Sequence, residues 1–244
     1  DTNFNQDVRK WILPSSTDVP GGFRMDRMFY DTPFNRPIDT FEEDGVKYWD
    51  MSNCTSTFAM FYNAEQFNQS LASWDVSNVA NMQQMFQYAD SFNQPLNTWD
   101  VSSVKNMNSM FRVARAFNQP LNNWNVSSVT KMQSMFSYTD SFDQDLGSWD
   151  VSNVTRLDYM FLEADVFTGQ GLDQWDVGNC TDMSHMFYNT LISVDLSSWD
   201  VSKVTKMDHM FYNVKDYNAN IESWNTQSNT TTRQMFYANN SFNR

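Results

Sequence analysis

The sequence predicts an α/β fold in the form of a right-handed solenoid, about nine stacked strand-helix rungs with the strands on the concave side. Three observations predict it. Tryptophan recurs at Trp49, Trp74, Trp99, Trp124, Trp149, Trp175, Trp199 and Trp224, in steps of 24 to 26 residues, with Trp11 as an earlier copy. A Met-Phe pair follows each of those eight by eleven and twelve residues, from Met60-Phe61 to Met235-Phe236, and Met28-Phe29 belongs to the first copy. Within each copy a two-residue alternation gives way to apolar spacings of three and four, the periods of a strand and of a helix.

Residues 1–48 hold the irregular copies. Phe4, Val8 and Trp11 fit the unit, and then Pro14–Gly22 intervenes before Met25, Met28 and Phe29 resume it. A second insertion, Asp39–Tyr48, separates Phe34 and Ile38 from Trp49. Pro, Gly and acidic residues make both of them loops that leave the stack without breaking it. From residue 49 to 241 the copies run regularly, and residues 1–244 read as one repeat array. The array opens on Phe4-Asn5-Gln6 and reaches another repeat start at Phe242-Asn243-Arg244, so a longer parent chain is expected.

The copy Phe92–Ala116 shows the unit most clearly: FNQPLNTWDVSSVKNMNSMFRVARA. Trp99 and Val101 fall on one face of a short strand. Val104, Met107, Met110, Phe111, Ala114 and Phe117 follow at spacings of 3, 3, 1, 3 and 3, the stripe of a helix of about three turns, with Ser102 or Ser103 as N-cap. Thr130, Thr155 and Thr205 take the cap role in other copies. The F-N-Q segment, with Pro95 or Pro120, returns the chain to the next strand. Gly169-Gln170-Gly171 adds one residue and Thr190–Leu196 drops one. Asn229 and Thr232, polar residues in apolar columns, predict fraying toward the last copies.

Strands stack ~4.8 Å apart while packed helices need ~8–10 Å, so a column of such rungs bends with its strands inside, as a leucine-rich-repeat arc does. The segment L-x-x-W-D-V stands where that repeat has L-x-x-L-x-L. The pattern F-N-Q-x-L-x-x-W-D-V-S-x-V-T-x-M-x-x-M-F-x-x-A, carried by Phe67–Ala89, Phe117–Thr139 and Phe142–Ala164, resembles the BspA-like leucine-rich-repeat surface proteins. The same repeat occurs in mycoplasma lipoproteins and in some marine and parasitic eukaryotes. The resemblance implies a cell-surface or secreted location and a role in adhesion or host contact, and it implies no catalytic residues.

A net charge of −13 opposes nucleic-acid and anionic-membrane partners, because phosphate binding needs the opposite sign. No apolar run approaches the ~20 residues of a membrane span. Cys54 and Cys180 occupy the valine phase five rungs apart, at least ~24 Å by strand spacing and beyond disulfide reach, which predicts two buried free thiols.

If Trp and Val face inward, one residue per rung between them faces the concave wall: Asp50, Asp75, Asp100, Asn125, Asp150, Asp176 and Asp200, then Asn225, with Ser two residues on in most rungs. Carboxylates one rung apart repel by roughly 0.8 kcal/mol in water and ~3 kcal/mol at an effective dielectric of 20, so something offsets the repulsion. One reading is a ligand-binding wall for a cationic or hydroxyl-rich partner, with Ca²⁺ as an alternative occupant. The other is a capping or turn device in which each side-chain oxygen accepts a nearby N–H, which Asn125 and Asn225 fit equally well. His185 and His209, adjacent in phase, would make a surface metal pair with Asp182 and Asp208 near, but lack a third ligand of known geometry. Tyr30, Tyr62, Tyr188, Tyr212 and Tyr237 follow Phe of the Met-Phe pair, and two readings stand for them: a binding stripe, or ordinary half-buried tyrosines of the packing. Asn-x-Ser/Thr at Asn53, Asn68, Asn125, Asn153, Asn179, Asn229 and Asn239 falls out of the repeat itself and says little about glycosylation.

These observations lead to the expectation of a noncatalytic interaction module without a cofactor. It would bind an extracellular protein or glycan through the Asp/Ser wall or the N-terminal loops. The alternatives are a structural element that self-associates through its repeat ends, and a Ca²⁺-dependent glycan-binding or glycan-active protein. No nucleophile or acid–base constellation stands out, and an Asp repeated in every rung does not resemble one tuned active site.

Overall fold

Flat side chains at one phase of a repeat can pack by lying on their own copies, and here they do. A computed structural model describes residues 3–242; Asn243 and Arg244, within the expected final repeat start, lie outside them. Phe61, Phe86, Phe111, Phe136 and Phe161 stack with centroids 5.6–5.8 Å apart. Trp74, Trp99, Trp124, Trp149 and Trp175 stack at 6.3–6.5 Å with planes within 4° of parallel. The phenylalanine of each F-N-Q segment closes the rung by stacking on the Met-Phe ring, as Phe92 does on Phe86 at 4.0 Å and Phe117 on Phe111 at 4.1 Å. All these rings are buried in one continuous core. Burial of such a ring stabilises by about 1.5–3 kcal/mol, and its stacking adds about 0.5–1.5.

The backbone corrects the predicted fold. Among the described residues there is no α-helix, and the strands are short: β1 (Phe23–Arg24), β2 (Phe41–Glu43), β3 (Val46–Tyr48) and β4 (Cys54–Ser56), with 3-10 turns at Met51–Asn53 and Leu172–Gln174. β1 and β4 pair in parallel, β2 and β3 form a hairpin, and further rungs meet at isolated parallel bridges such as Asn81 with Asn106. The chain is therefore not an α/β, leucine-rich-repeat solenoid of strand-helix rungs. It is a stack of rungs built from turns.

The stretch expected to be helical shows why. Met82, Gln84, Phe86 and Tyr88 donate their amides to the carbonyls of Asn106, Asn108, Met110 and Arg112 in the following rung, all at 2.9 Å. The intervening amides of Met85, Gln87 and Ala89 donate three residues back, at 3.0–3.2 Å. A helix needs every amide to bond within its own segment; here every second one belongs to a neighbour. Two residues per rung complete the turns with positive φ, Gln84 at 59° and Tyr88 at 62°. Apolar residues three apart fit a chain of three-residue turns as well as a helix, so their spacing does not separate the two.

The stretch expected to be a strand is also made of turns. The amides of Trp99 and Val104 donate back to Leu96 and Val101, at 3.0 and 2.9 Å. Trp99 and Val101 do both point inward. Rungs are tied here by side chains: the indole N–H of Trp99 donates to the Leu71 carbonyl of the rung before at 2.9 Å, Trp124 to Leu96 at 2.9 Å and Trp149 to Leu121 at 3.0 Å. With no α-helix among the described residues, the unequal helix and strand spacing that predicted a concave strand wall, and with it a concave Asp/Ser face, does not arise.

The F-N-Q segment carries a second tie. Asn68 Oδ1 accepts the Asn93 amide and the Gln94 side chain, Asn93 Oδ1 accepts the Asn118 amide and Gln119, and Asn118 Oδ1 accepts the Asp143 amide and Gln144. Asp143 continues it to the Thr168 amide and hydroxyl.

The two N-terminal insertions, both expected to be loops, differ in form. Ser15 and Asp18 close a turn in the first, and the second is the β2–β3 hairpin, turned by Asp44 and Gly45 at φ 53° and 77° with Phe41 stacked on Tyr48. Toward the other end, Thr232 is exposed and Trp224 and Met235 are less covered than the copies from Trp49 to Trp199 and from Met60 to Met210, while at the start Trp11 and Met28 are exposed. Cys54 and Cys180 are buried and free, and burial pushes their thiols up to about 11 and about 12, which keeps both protonated at neutral pH.

Candidate functional site

A residue flanked by buried Trp and Val must point out, and the predicted row does: Asp75, Asp100, Asn125, Asp150, Asp176 and Asp200 are exposed, and Asp50 is half-buried. Each Oδ1 accepts the amide two residues on, Asp100 from Ser102 at 3.0 Å, Asn125 from Ser127 at 3.2 Å, Asp150 from Ser152 at 3.0 Å and Asp176 from Gly178 at 3.0 Å. Asp75 and Asp200 do the same to Ser77 and Ser202, and Asp50 to Ser52. Both earlier readings of the row concern one geometry, because a turn device can also hold an outward carboxylate in place. The hydroxyl and amide of Ser102, Ser152 and Ser202 hold the carboxyls of Asp100, Asp150 and Asp200 below the usual carboxylate range. Burial alone would raise Asp50, but Lys47 and Ser52 outweigh it and lower it.

Among the described residues no three His, Cys, Asp or Glu side chains converge as metal ligands. His185 and His209 do meet, as stacked rings 4.6 Å apart that extend to Tyr159 at 4.7 Å, with His209 Nε2 beside Gln234 Oε1 at 2.9 Å. Both Nδ1 atoms are buried without a hydrogen-bond partner, and burial followed by the His209 charge lowers His185. The tyrosine row forms similar face-to-face stacks, Tyr30 on Tyr62 at 4.6 Å and Tyr188 on Tyr212 on Tyr237 at 4.5 and 4.8 Å. Arg112 stands between Tyr88 and Tyr138, over both rings at 5.6 and 5.5 Å. Rings stacked on one another present their edges outward, so these rows offer hydroxyls and ring hydrogens more than flat platforms.

One charged column was missed by the sequence reading. Asn81, Asn106, Lys131, Arg156, Asp182, Lys206 and Thr231 share the bridge phase. Arg156 grips Asp158 with two bonds of 3.0 and 2.9 Å and reaches Asp182 at 3.5 Å, which Lys206 also approaches at 3.3 Å. Burial raises Asp158 against the pull of Arg156. A polar cleft of about 360 Å³ lies beside this column, lined by Asn108, Thr130, Lys131, Gln133, Thr155 and Arg156. Its signal in the sequence was a variable, often charged residue just before the first methionine of each copy.

Comparison with curated proteins and with solved structures gives no match. A family model does match, in four overlapping segments, 1–47, 24–149, 94–191 and 157–244, which together span the chain and agree with the repeating rungs. The chain thus belongs to the repeat family described as "Mycoplasma protein of unknown function, DUF285".

Proposed function

We propose that the chain is a noncatalytic interaction module of a secreted or cell-surface protein of BspA-like kind, binding an extracellular protein or glycan through the row from Asp50 to Asp200. One observation carries the reading: each rung presents one outward acceptor at the same phase, fixed by its own turn, and in Asp100, Asp150 and Asp200 held in its charged form. Rigid, repeated side chains lose little conformational entropy on binding, and repetition lets a weak contact add along an extended partner. The likeness of the F-N-Q-x-L-x-x-W-D-V consensus to the BspA-like proteins supports the location and the adhesive role.

Asp100→Asn with Asp150→Asn tests the reading. Asn125 shows that an amide keeps the turn, accepting the Ser127 amide and hydroxyl, so the double variant folds while losing two charges. Probed on arrays of matrix proteins and glycans with and without Ca²⁺, the wild type is expected to capture a partner that the variant holds at least about tenfold more weakly. Equal capture by both would refute the row as the binding surface.

A further inference from the structure

Along the bridge column, the backbone ladder has one opening among the described residues. At the other junctions along the bridge column from Ser56 to Thr231, the residue before the bridge donates its amide to the previous rung and the residue after it donates to the following one. Lys105 and Thr130 donate to Ala80 and Lys105 at 2.9 and 3.0 Å, and Met82 and Met107 to Asn106 and Lys131 at 2.9 and 2.8 Å. Between Lys131 and Arg156 both bonds and the bridge itself are missing among the described residues: Thr155 does not reach the Thr130 carbonyl, nor Met132 the Arg156 carbonyl. The Thr155 hydroxyl makes no bond there either, although those of Thr130, Thr181, Thr205 and Thr230 each bond the equivalent carbonyl. The ladder resumes just beyond, where Ser134 donates to Asp158 at 3.1 Å.

The opening coincides with the charges along the column. Where neutral Asn81 meets Asn106, Asn106 meets Lys131, Arg156 meets Asp182 and Asp182 meets Lys206, the rungs are bonded. Only where a cation faces a cation, Lys131 and Arg156, do they part. Arg156 turns toward Asp158 and Asp182, and Lys131 is exposed and forms no ion pair among the described residues. The six side chains that line the cleft at this point are all polar.

We infer that the cleft between Lys131 and Arg156 is a binding site for an acidic saccharide, whose carboxylate sits between the two cations. A carboxylate there does for the Lys131/Arg156 junction what the Asp182 side chain does for its two neighbours. Amide and hydroxyl groups of Asn108, Gln133, Thr130 and Thr155 match sugar hydroxyls, both donating and accepting, while the side chains of an acidic peptide bring carboxylates but no hydroxyls to pair with them. This site is separate from the aspartate row and carries the opposite charge, so either can fail without the other.

The test uses the whole chain, an oligogalacturonate as probe, the neutral oligogalactose as its uncharged counterpart, and an oligoglutamate as the peptide arm. Calorimetry is expected to show binding of the galacturonate alone, weakened by salt and by about tenfold or more in Lys131→Gln. Hydrogen exchange in the free protein is expected to be faster at the Thr155 and Met132 amides than at Thr130 and Met107, and to slow when the saccharide binds. Lys131→Glu gives a second measurement: with opposite charges facing, the ladder closes, both amides slow without any ligand, and galacturonate binding is lost. Unchanged affinity in Lys131→Gln, tighter binding of oligoglutamate, no binding of galacturonate, or slow exchange at both amides in the free wild type would each overturn the proposal.

Discussion

Among the described residues twenty non-glycine residues hold positive φ, two per rung in most rungs. An L-residue in that region gives up about 1–2 kcal/mol that glycine would not. Ala238, exposed at φ 57°, therefore offers a clean gain: Ala238→Gly is expected to raise the unfolding free energy measured by urea denaturation by about 0.5–1 kcal/mol after the added freedom of the unfolded chain is subtracted. The reverse holds at Gly171, φ 84°, where a Cβ would meet Asp145 Oδ1 and the Gly147 amide nitrogen at 2.3 Å. Gly171→Ala is expected to lose about 2–3 kcal/mol in the same measurement. At the aspartate row, folding lowers the carboxyl pKa of Asp100 and Asp150, so their contribution is complete above the unfolded value of 3.8 and disappears as pH falls through the lower folded value. Acid titration of stability is expected to be shallower below about pH 4 in the Asp100→Asn, Asp150→Asn variant, since an amide has no proton to take up. The turn role of this row was legible because Asn125 and Asn225 can replace Asp only where the acceptor matters. The positive φ values were not legible: Gln84, Tyr88 and Val113 give no hint of a left-handed backbone, which the neighbouring rungs impose.

At the scale of an element, the sequence located the buried columns but misjudged the backbone that carries them. Met107, Met110, Phe111 and Ala114 are buried as expected, on turns in place of a helix, because half of the amides find carbonyls one rung away. Far-ultraviolet circular dichroism is accordingly expected to lack the helical double minimum, and a helical spectrum would contradict the fold. The Asn ladder escaped notice for a different reason. Its periodicity was plain, but a polar residue in a loop looks the same whether it bonds water or the next rung. Asn93→Ala removes the acceptor of the Asn118 amide and of Gln119 together and is expected to cost about 1–3 kcal/mol. Asn93→Asp keeps the acceptor, as Asp143 does toward Thr168, and is expected to recover most of that loss.

Across the whole molecule each rung bonds mainly to the two beside it, so stability should vary along the stack and not be shared uniformly. Apart from the Met132 and Thr155 amides at the opening, hydrogen exchange is expected to be slowest through residues 82–161, where the Trp and Phe stacks are closed on both sides, and faster through 224–239, where Thr232 is exposed and Asn229 keeps a buried Oδ1 without a partner. Uniform protection along the chain would mean that rungs are not the cooperative unit. The repeat and its single continuous core were legible from Trp and Met-Phe alone; the opening at Lys131 and Arg156 was not, since it depends on which charges face each other across a junction.

The tie from each indole to the leucine carbonyl of the rung before has a consequence for the length of the chain. Cutting out residues 92–116 would bring the Trp124 indole to the Leu71 carbonyl and the Asn118 amide to Asn68 Oδ1, partners of the same type as those they leave. The shortened protein should fold, and a duplicated segment should be accepted as readily, so that reach along the axis can grow or shrink in whole steps of one copy while the exposed faces on either side keep their alignment.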